Sequence, residues 1–310
     1  MMNPYGKFSK SIKKILIGRD LQVIDKIIFY LSRGKSSGWV LGNKLRNLSY
    51  GKRNFISNAP IIFIGCFPRS GSTLLTAMLE QHKEIVGPGS EIHIFQDIKT
   101  KRWLKEGFEL GDKEIKRFEK YKKDVVLFAD KIIRYYLKKK KGSYVLLKQP
   151  KHIYFIDEIM KHFPNSKFIH IIRDGRDCTM SQRFFLLPKG RIEWPYSWCC
   201  RQWTTAIKKG EIYRKDKRYL EIKYEELVKN PQIVFKEIFN FLEIKNISKR
   251  DLLSFYQNFY VHKRPQHKDV GKPLDATQIN KWVAKMSVKD KKTFRKICGK
   301  EQRALRYKLE

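Results

Sequence analysis

The chain has 310 residues, 42% of them hydrophobic and 13% aromatic, with 67 Lys and Arg against 31 Asp and Glu for a formal net charge of +36. That length supports one sizeable core with appendages, and the apolar content excludes a disordered chain. Cys66, Cys178, Cys199, Cys200 and Cys298 form no CxxC pair and no metal-ligand spacing, which sets aside a disulfide scaffold and points to a reducing compartment.

In chain order, residues 1–57 read as a basic, helical extension that ends in the polar stretch Gly51 to Asn58. The apolar run Ile15 to Leu31 is broken by Arg19, Asp20, Asp25 and Lys26, too polar to span a membrane but compatible with a peripheral membrane contact. With no secretory signal evident, a cytoplasmic location is expected. A domain over 58–310 follows. Pro60 to Gly65 is continuously apolar, as a strand buried on both faces is, and Leu74 to Gln81 has helical periodicity. Phe118 to Leu137 is spaced as a helix, Tyr144 to Lys148 as a second strand, and Ile153 to Phe163 as a helix. Pro164-Asn-Ser turns the chain into a third strand, Lys167 to Arg173. Helices are expected over 174–186 and 196–214, a fourth strand over Arg218 to Lys223, and helices over 231–243 and 249–257. Strands alternating with helices predict an α/β fold: three layers, with a central, mostly parallel sheet flanked by helices. In such sheets ligands bind beyond the carboxyl ends of the strands, where every polar motif of this chain falls.

Gly65-Cys-Phe-Pro-Arg-Ser-Gly-Ser-Thr73 joins the first strand to a helix. A helix start offers unsatisfied backbone N–H groups and a positive dipole to an anion. Gly71 permits close backbone approach, Ser70, Ser72 and Thr73 add hydroxyls, and Arg69 adds a planar charged donor suited to phosphate or sulfate. The nucleotide-kinase pattern GxxxxGK[ST] is not met: the glycines are one residue too far apart, and Ser72 stands where lysine belongs. A metal-dependent phosphate-loop kinase is therefore disfavoured.

Pro68 to Leu75 resembles the 5′-phosphosulfate loop of the sulfotransferase superfamily, and Ile169-His-Ile-Ile-Arg173 with Ser181 resembles its 3′-phosphate motif. The likeness runs from about residue 60 to 285 and is closest to the tyrosylprotein and bacterial branches. It implies a P-loop-like fold and 3′-phosphoadenosine 5′-phosphosulfate (PAPS) as the donor co-substrate, with no metal. By resemblance, Arg69, Ser70, Gly71, Ser72 and Thr73 bind the 5′-phosphosulfate, and Arg173 and Ser181 the 3′-phosphate. Tyr224 in Tyr224-Glu-Glu-Leu227, Lys272 in Gly271-Lys-Pro and Lys281 in Asn280-Lys-Trp282 are further donor contacts on the same ground. A basic contact expected four residues after the serine is replaced by Phe185, with Arg183 nearby as a substitute.

Sulfuryl transfer needs a base for the acceptor proton and a cation for the leaving oxygen. The resemblance assigns these roles to Glu91, one residue displaced in its loop, and to Lys148 at a strand end. His93 is the other candidate base, and His152 stands near the expected acceptor mouth. The +36 charge reads either as a surface that draws polyanions or as compositional lysine on solvated helix faces. No specific nucleic-acid partner is expected, since the lysines are spread throughout instead of forming one basic stripe. The acceptor stays open among carbohydrate, lipid, metabolite and tyrosyl peptide.

Overall fold

Strand β1 (Ile61–Gly65) has all five residues buried, and its alternating side chains feed two separate faces. The structure, a computed structural model, describes residues 53–308 except 90, 96–97, 188–189 and 259–271. The basic extension expected over 1–57, with its membrane contact, falls almost wholly outside the described residues, as does Gly271. Residues 53–57 run along the domain: the Ser57 amide donates to the His162 carbonyl at 2.8 Å, and the Ser57 hydroxyl to Asp130 at 2.7 Å.

After β1 come α1 (Ser72–Leu79), the two-residue strand β2 (Ile85–Val86), α2 (Lys101–Glu106), α3 (Asp112–Glu119) and α4 (Val125–Lys140). Strand β3 (Tyr144–Lys148) leads through a 3-10 turn at Pro150–Phe155 into α5 (Ile156–His162) and β4 (Lys167–Ile172). Helix α6 (Gly175–Arg183) passes straight into a hairpin of β5 (Phe184–Leu187) and β6 (Gly190–Glu193). Then follow α7 (Tyr196–Glu211), β7 (Tyr219–Lys223), α8 (Tyr224–Lys229), α9 (Pro231–Leu242), α10 (Lys249–Leu253) and α11 (Phe255–Asn258). The described chain closes with α12 (Trp282–Lys285) and α13 (Val288–Ala304).

The sheet has five strands in the order β2-β3-β1-β4-β7, and every pairing is parallel. On one face Ile62 and Ile64 pack with Leu75, Met78, Phe235 and Phe239; on the other, Phe63 meets the edges of His152 and Phe163. Burying each such large side chain contributes roughly 1.5–3 kcal/mol. The chain leaves β1 toward β2 and leaves β4 toward β7, in opposite directions across the sheet. The crevice at the carboxyl ends of β1 and β4 is therefore the topological switch point, where a ligand site is expected in an open parallel sheet.

Several elements differ from the sequence reading. The helix expected over Phe118 to Leu137 is two helices, because Asp124 caps a new start by accepting the amides of Val126 and Leu127. The helix expected over 174–186 stops at Arg183, where Phe184-Phe-Leu-Leu pairs as a strand with 190–193. The helix expected from Ile153 starts as a tight 3-10 turn whose first amide, that of Lys151, is capped by Gln149.

Candidate active site

At the carboxyl end of β1 the chain turns through Phe67 to Ser70 and enters α1 at Gly71, a residue with φ of 97° and no side-chain cap over the amides that follow. A Cβ at Gly71 would run into the ring of Tyr224, so the loop lies flat against that tyrosine only because no side chain intervenes. Arg69 also has positive φ, 73°, a costly conformation for a non-glycine residue of the kind concentrated at functional sites. The strained turn aims Arg69 sideways, so that its Nε donates to the Ser181 hydroxyl at 3.0 Å. Ser70 points inward instead: it is buried, with its hydroxyl 3.4 Å from the Cys178 thiol, and fastens the loop onto α6.

Arg173 follows β4 directly, so the parallel pairing of β1 with β4 sets it beside the loop. Its NH1 donates to the Arg69 carbonyl at 3.4 Å, its NH2 to the Gln278 carbonyl, and its guanidinium lies 4.4 Å from the centre of the Tyr224 ring. Arg173 Nε is buried and has no acceptor among the described residues. A buried guanidinium donor without a partner is costly, and an anion entering the cleft would satisfy it.

Lys148 ends β3 in register with Ile64 of β1. Its ammonium meets Glu91 Oε1 at 2.6 Å and the Thr73 hydroxyl at 3.3 Å, with the lysine side chain only 8% exposed. One carboxylate and one ammonium thus meet at the mouth of the α1 amides. A cleft of about 970 Å³ runs over these groups, lined by Arg69, Gly71, Ser72, Thr73, Glu91, Arg173, Ser181, Tyr224, Lys272 and Lys281 together with residues of other elements. Of the residues singled out from sequence, Ser70 and Lys148 stand just behind this lining.

The two histidines near the site lie differently. His152 is fully buried: its Nδ1 donates to the Ile64 carbonyl and its Nε2 accepts the Ile94 amide, both at 3.3 Å. Burial pushes its imidazole down to about 3, so it is a neutral fastener between β1 and the Glu91 loop, and its expected place at the acceptor mouth is corrected. His93 accepts the Phe95 amide at 3.3 Å and packs edge-on against Phe155, beneath the cleft lining. Arg183 pairs with Asp290 of α13 at 3.1 Å and does not line the cleft.

Sequence reasoning missed Asp177, Gln278 and Lys285, which also line the cleft. A signal for Asp177 was present: Arg173, Asp177 and Ser181 recur every four residues, the spacing that keeps side chains on one helical face. Among the described residues no group of three or more His, Cys, Asp or Glu side chains is placed to hold a metal ion, and no helix is long and apolar enough to cross a membrane. All five cysteines are buried thiols.

A parallel sheet whose first strand turns through an uncapped loop into a helix, with a second arginine at the neighbouring strand end, is the architecture of the P-loop-like fold. Solved structures with this fold include the sulfotransferase domain of the Synechococcus PCC 7002 olefin synthase, with a TM-score of 0.61 and 19% identity over 84% of this chain and 98% of that one. The sulfotransferase domain of the curacin biosynthetic pathway superposes with a TM-score of 0.57 and 18% identity, over 82% of this chain and all of that one. At these identities the likeness concerns the fold. The Sulfotransferase family model matches residues 60–248, and the chain belongs to that family. Its relatives include protein-tyrosine sulfotransferase 1 of Danio rerio, 28% identical over 73% of this chain and 66% of the relative, and protein-tyrosine sulfotransferase 2 of Gallus gallus, 30% identical over 72% and 63%. The protein-tyrosine sulfotransferase of Drosophila melanogaster is 28% identical over 73% of this chain but 48% of the relative, so the chain spans about half to two thirds of these proteins' lengths.

Proposed function

We propose that this protein is a sulfotransferase that moves a sulfuryl group from PAPS to a hydroxyl or amine acceptor without a metal ion. The donor supplies an activated sulfuryl group on a 5′-phosphate and carries a second phosphate at the 3′ position. The residues of the cleft suit both ends of such a molecule. The uncapped amides of α1, with Arg69, Ser72 and Thr73, offer donors to the 5′-phosphosulfate. Arg173, with its unpartnered Nε, and Ser181 offer them to the 3′-phosphate. Tyr224, Lys272 and Lys281 flank the space between. The tyrosyl-protein acceptors that the relatives' names state support a tyrosyl peptide as one acceptor class, beside carbohydrate, lipid and metabolite hydroxyls.

The observation that carries this reading is the Glu91–Lys148 pair, 2.6 Å apart at the end of the phosphate loop. In this reading Glu91 accepts the proton of an acceptor hydroxyl. Lys148, within reach of Thr73, stabilises charge on the leaving oxygen in the same reading. In the free protein each neutralises the other, which keeps a nearly buried ammonium from standing unpaired. Calorimetry with 3′-phosphoadenosine 5′-phosphate (PAP) in the presence of a chelator tests the donor half: micromolar binding is expected, and binding of magnesium–ATP in its place would overturn it. A PAPS-dependent transfer screen over tyrosyl peptides, glycans and hydroxylated metabolites identifies the acceptor.

A further inference from the structure

The segment from Lys272 to Lys285 crosses the cleft as a strap and contributes Lys272, Gln278, Lys281, Trp282 and Lys285 to its lining. Leu274 and Ile279 pack the strap against the core, and a carboxylate fixes its main chain. Asp177, whose side chain is 2% exposed, accepts the amide of Trp282 on Oδ1 at 2.8 Å and the amide of Asn280 on Oδ2 at 2.9 Å. Asn280 adopts positive φ, 62°, and this bend turns two amides of the strap toward one side chain. The same Oδ2 lies 3.5 Å from Arg173 NH2, which also donates to the strap carbonyl of Gln278. A second fastening lies alongside: the Trp282 indole covers the guanidinium of Arg176 at 3.6 Å, and Arg176 is itself paired with Asp174 at 2.7 Å.

We infer that Asp177 is a positioning residue that latches the strap over the cleft and, through Arg173, ties the seating of the strap to the 3′-phosphate of the donor. The inference rests on the PAPS reading above. Both bonds from Asp177 go to main-chain amides, so the carboxylate fixes the path of the strap and not its side chains. Lifting the strap would strip a nearly buried carboxylate of two amide donors and Arg173 NH2 of the Gln278 carbonyl, leaving the two only each other at 3.5 Å, which favours the seated position before any ligand arrives. A 3′-phosphate that engages Arg173 holds the guanidinium from the cleft side while Asp177 and Gln278 hold it from the strap side. Ligand and strap thereby retain each other, and a ligand without that phosphate gains no such hold.

Two measurements test this. In wild-type protein the amides of Asn280 and Trp282 should exchange slowly with solvent deuterium, and PAP should slow them a further ~10-fold while 5′-AMP does not, a coupling within the usual range. Unprotected exchange in the free protein, or equal slowing by the two nucleotides, would overturn the latch. Asp177→Asn keeps the size but has one acceptor oxygen for two amides. It should raise the PAP dissociation rate about tenfold and narrow the preference for PAP over 5′-AMP. An equal loss for both nucleotides, together with a lower melting temperature, would mark Asp177 as a purely structural group and end the proposal. If PAP does not bind at all, the donor reading fails, and the protection of the two amides in the free protein still decides whether the latch exists.

Discussion

On the proposed reading, substitutions at Glu91 and Arg173 should separate chemistry from binding. Glu91→Gln preserves shape and hydrogen-bonding capacity but removes the proton acceptor. Transfer should fall by ~10²–10⁴, the range for losing a general base, with PAP affinity nearly unchanged. His93→Gln should cost far less, since His93 lies beneath the cleft lining; a dead His93 variant beside an active Glu91 variant would reverse the assignment. Arg173→Ala should weaken PAP by about 2–3 kcal/mol, because a charged donor to a phosphate is removed, and should leave adenosine 5′-phosphosulfate almost untouched. Equal weakening of the two would sink the 3′-phosphate role. Arg69, Gly71, Ser72, Thr73 and Arg173 were legible as cleft residues because they sit on short motifs at strand ends, whereas Glu91 was reached only through the family resemblance. Ser70 was legible as a member of the loop but not as a group turned inward, because a direction toward Cys178 depends on the packing of α6, 108 residues away. His152 was misplaced for a similar reason. Nothing in Lys148-Gln-Pro-Lys-His says that the ring will be buried between two backbone partners.

Elements were legible when their own burial wrote the pattern. The strands β1, β3 and β4 are largely apolar runs because a parallel sheet covered on both faces demands them, whereas the edge strand β7 carries Glu221 and Lys223 and is only partly buried. Strand β2 has only two residues and leaves too little periodicity to read. The hairpin after α6 went unseen because Phe184-Phe-Leu-Leu is as compatible with a helix as with a strand; its pairing with Gly190–Glu193 decides. Helix α13 is hidden by a run in which basic residues outnumber apolar ones, although Phe294 and Cys298 sit buried on one side. The break before α4 shows what a single side chain does for an element. Asp124 accepts the amides of Val126 at 2.9 Å and Leu127 at 3.1 Å, and on its other oxygen those of Asn54 at 2.6 Å and Phe55 at 3.0 Å. Burial pushes its carboxyl up, but the four amides outweigh that and hold it below the usual value. Asp124→Ala should lower stability by about 1–2 kcal/mol, seen as a lower urea midpoint with an unchanged slope. A depressed carboxyl contributes above its unfolded value and loses its contribution as pH falls, so the cost of the substitution should shrink in acid. A cost that is independent of pH down to the folded-state titration would show that the carboxylate charge is not what caps α4.

At the scale of the whole molecule, acid response follows from what the core encloses. His152 and His170 are both fully buried, and both are pushed down to about 3, His152 by burial alone and His170 by burial with help from Arg214. Between their ordinary value near 6.5 and about 3 the unfolded chain binds protons that the folded core refuses, so stability falls as pH falls through that window. At pH 5.5 each histidine should cost on the order of 1 kcal/mol relative to neutral pH. Glu80 at the end of α1 works the other way. Burial raises it to about 7 against the opposing pull of Lys148. From 7 down to its ordinary value near 4.5 the folded state holds the proton more tightly than the unfolded one, which adds stability as pH falls. The net slope between pH 7 and 5.5 is a contest of two histidines against one glutamate, and the histidines should win by a small margin. Replacing Glu80 with Gln removes the opposing contribution and also removes a half-buried charge near neutral pH. The variant should therefore be more stable than the parent at pH 7.5 and should lose stability more steeply on acidification, which urea unfolding at constant ionic strength across that range measures directly. An acid slope equal in parent and variant would mean that Glu80 is ionised in the folded protein throughout, and that the end of α1 is open to solvent.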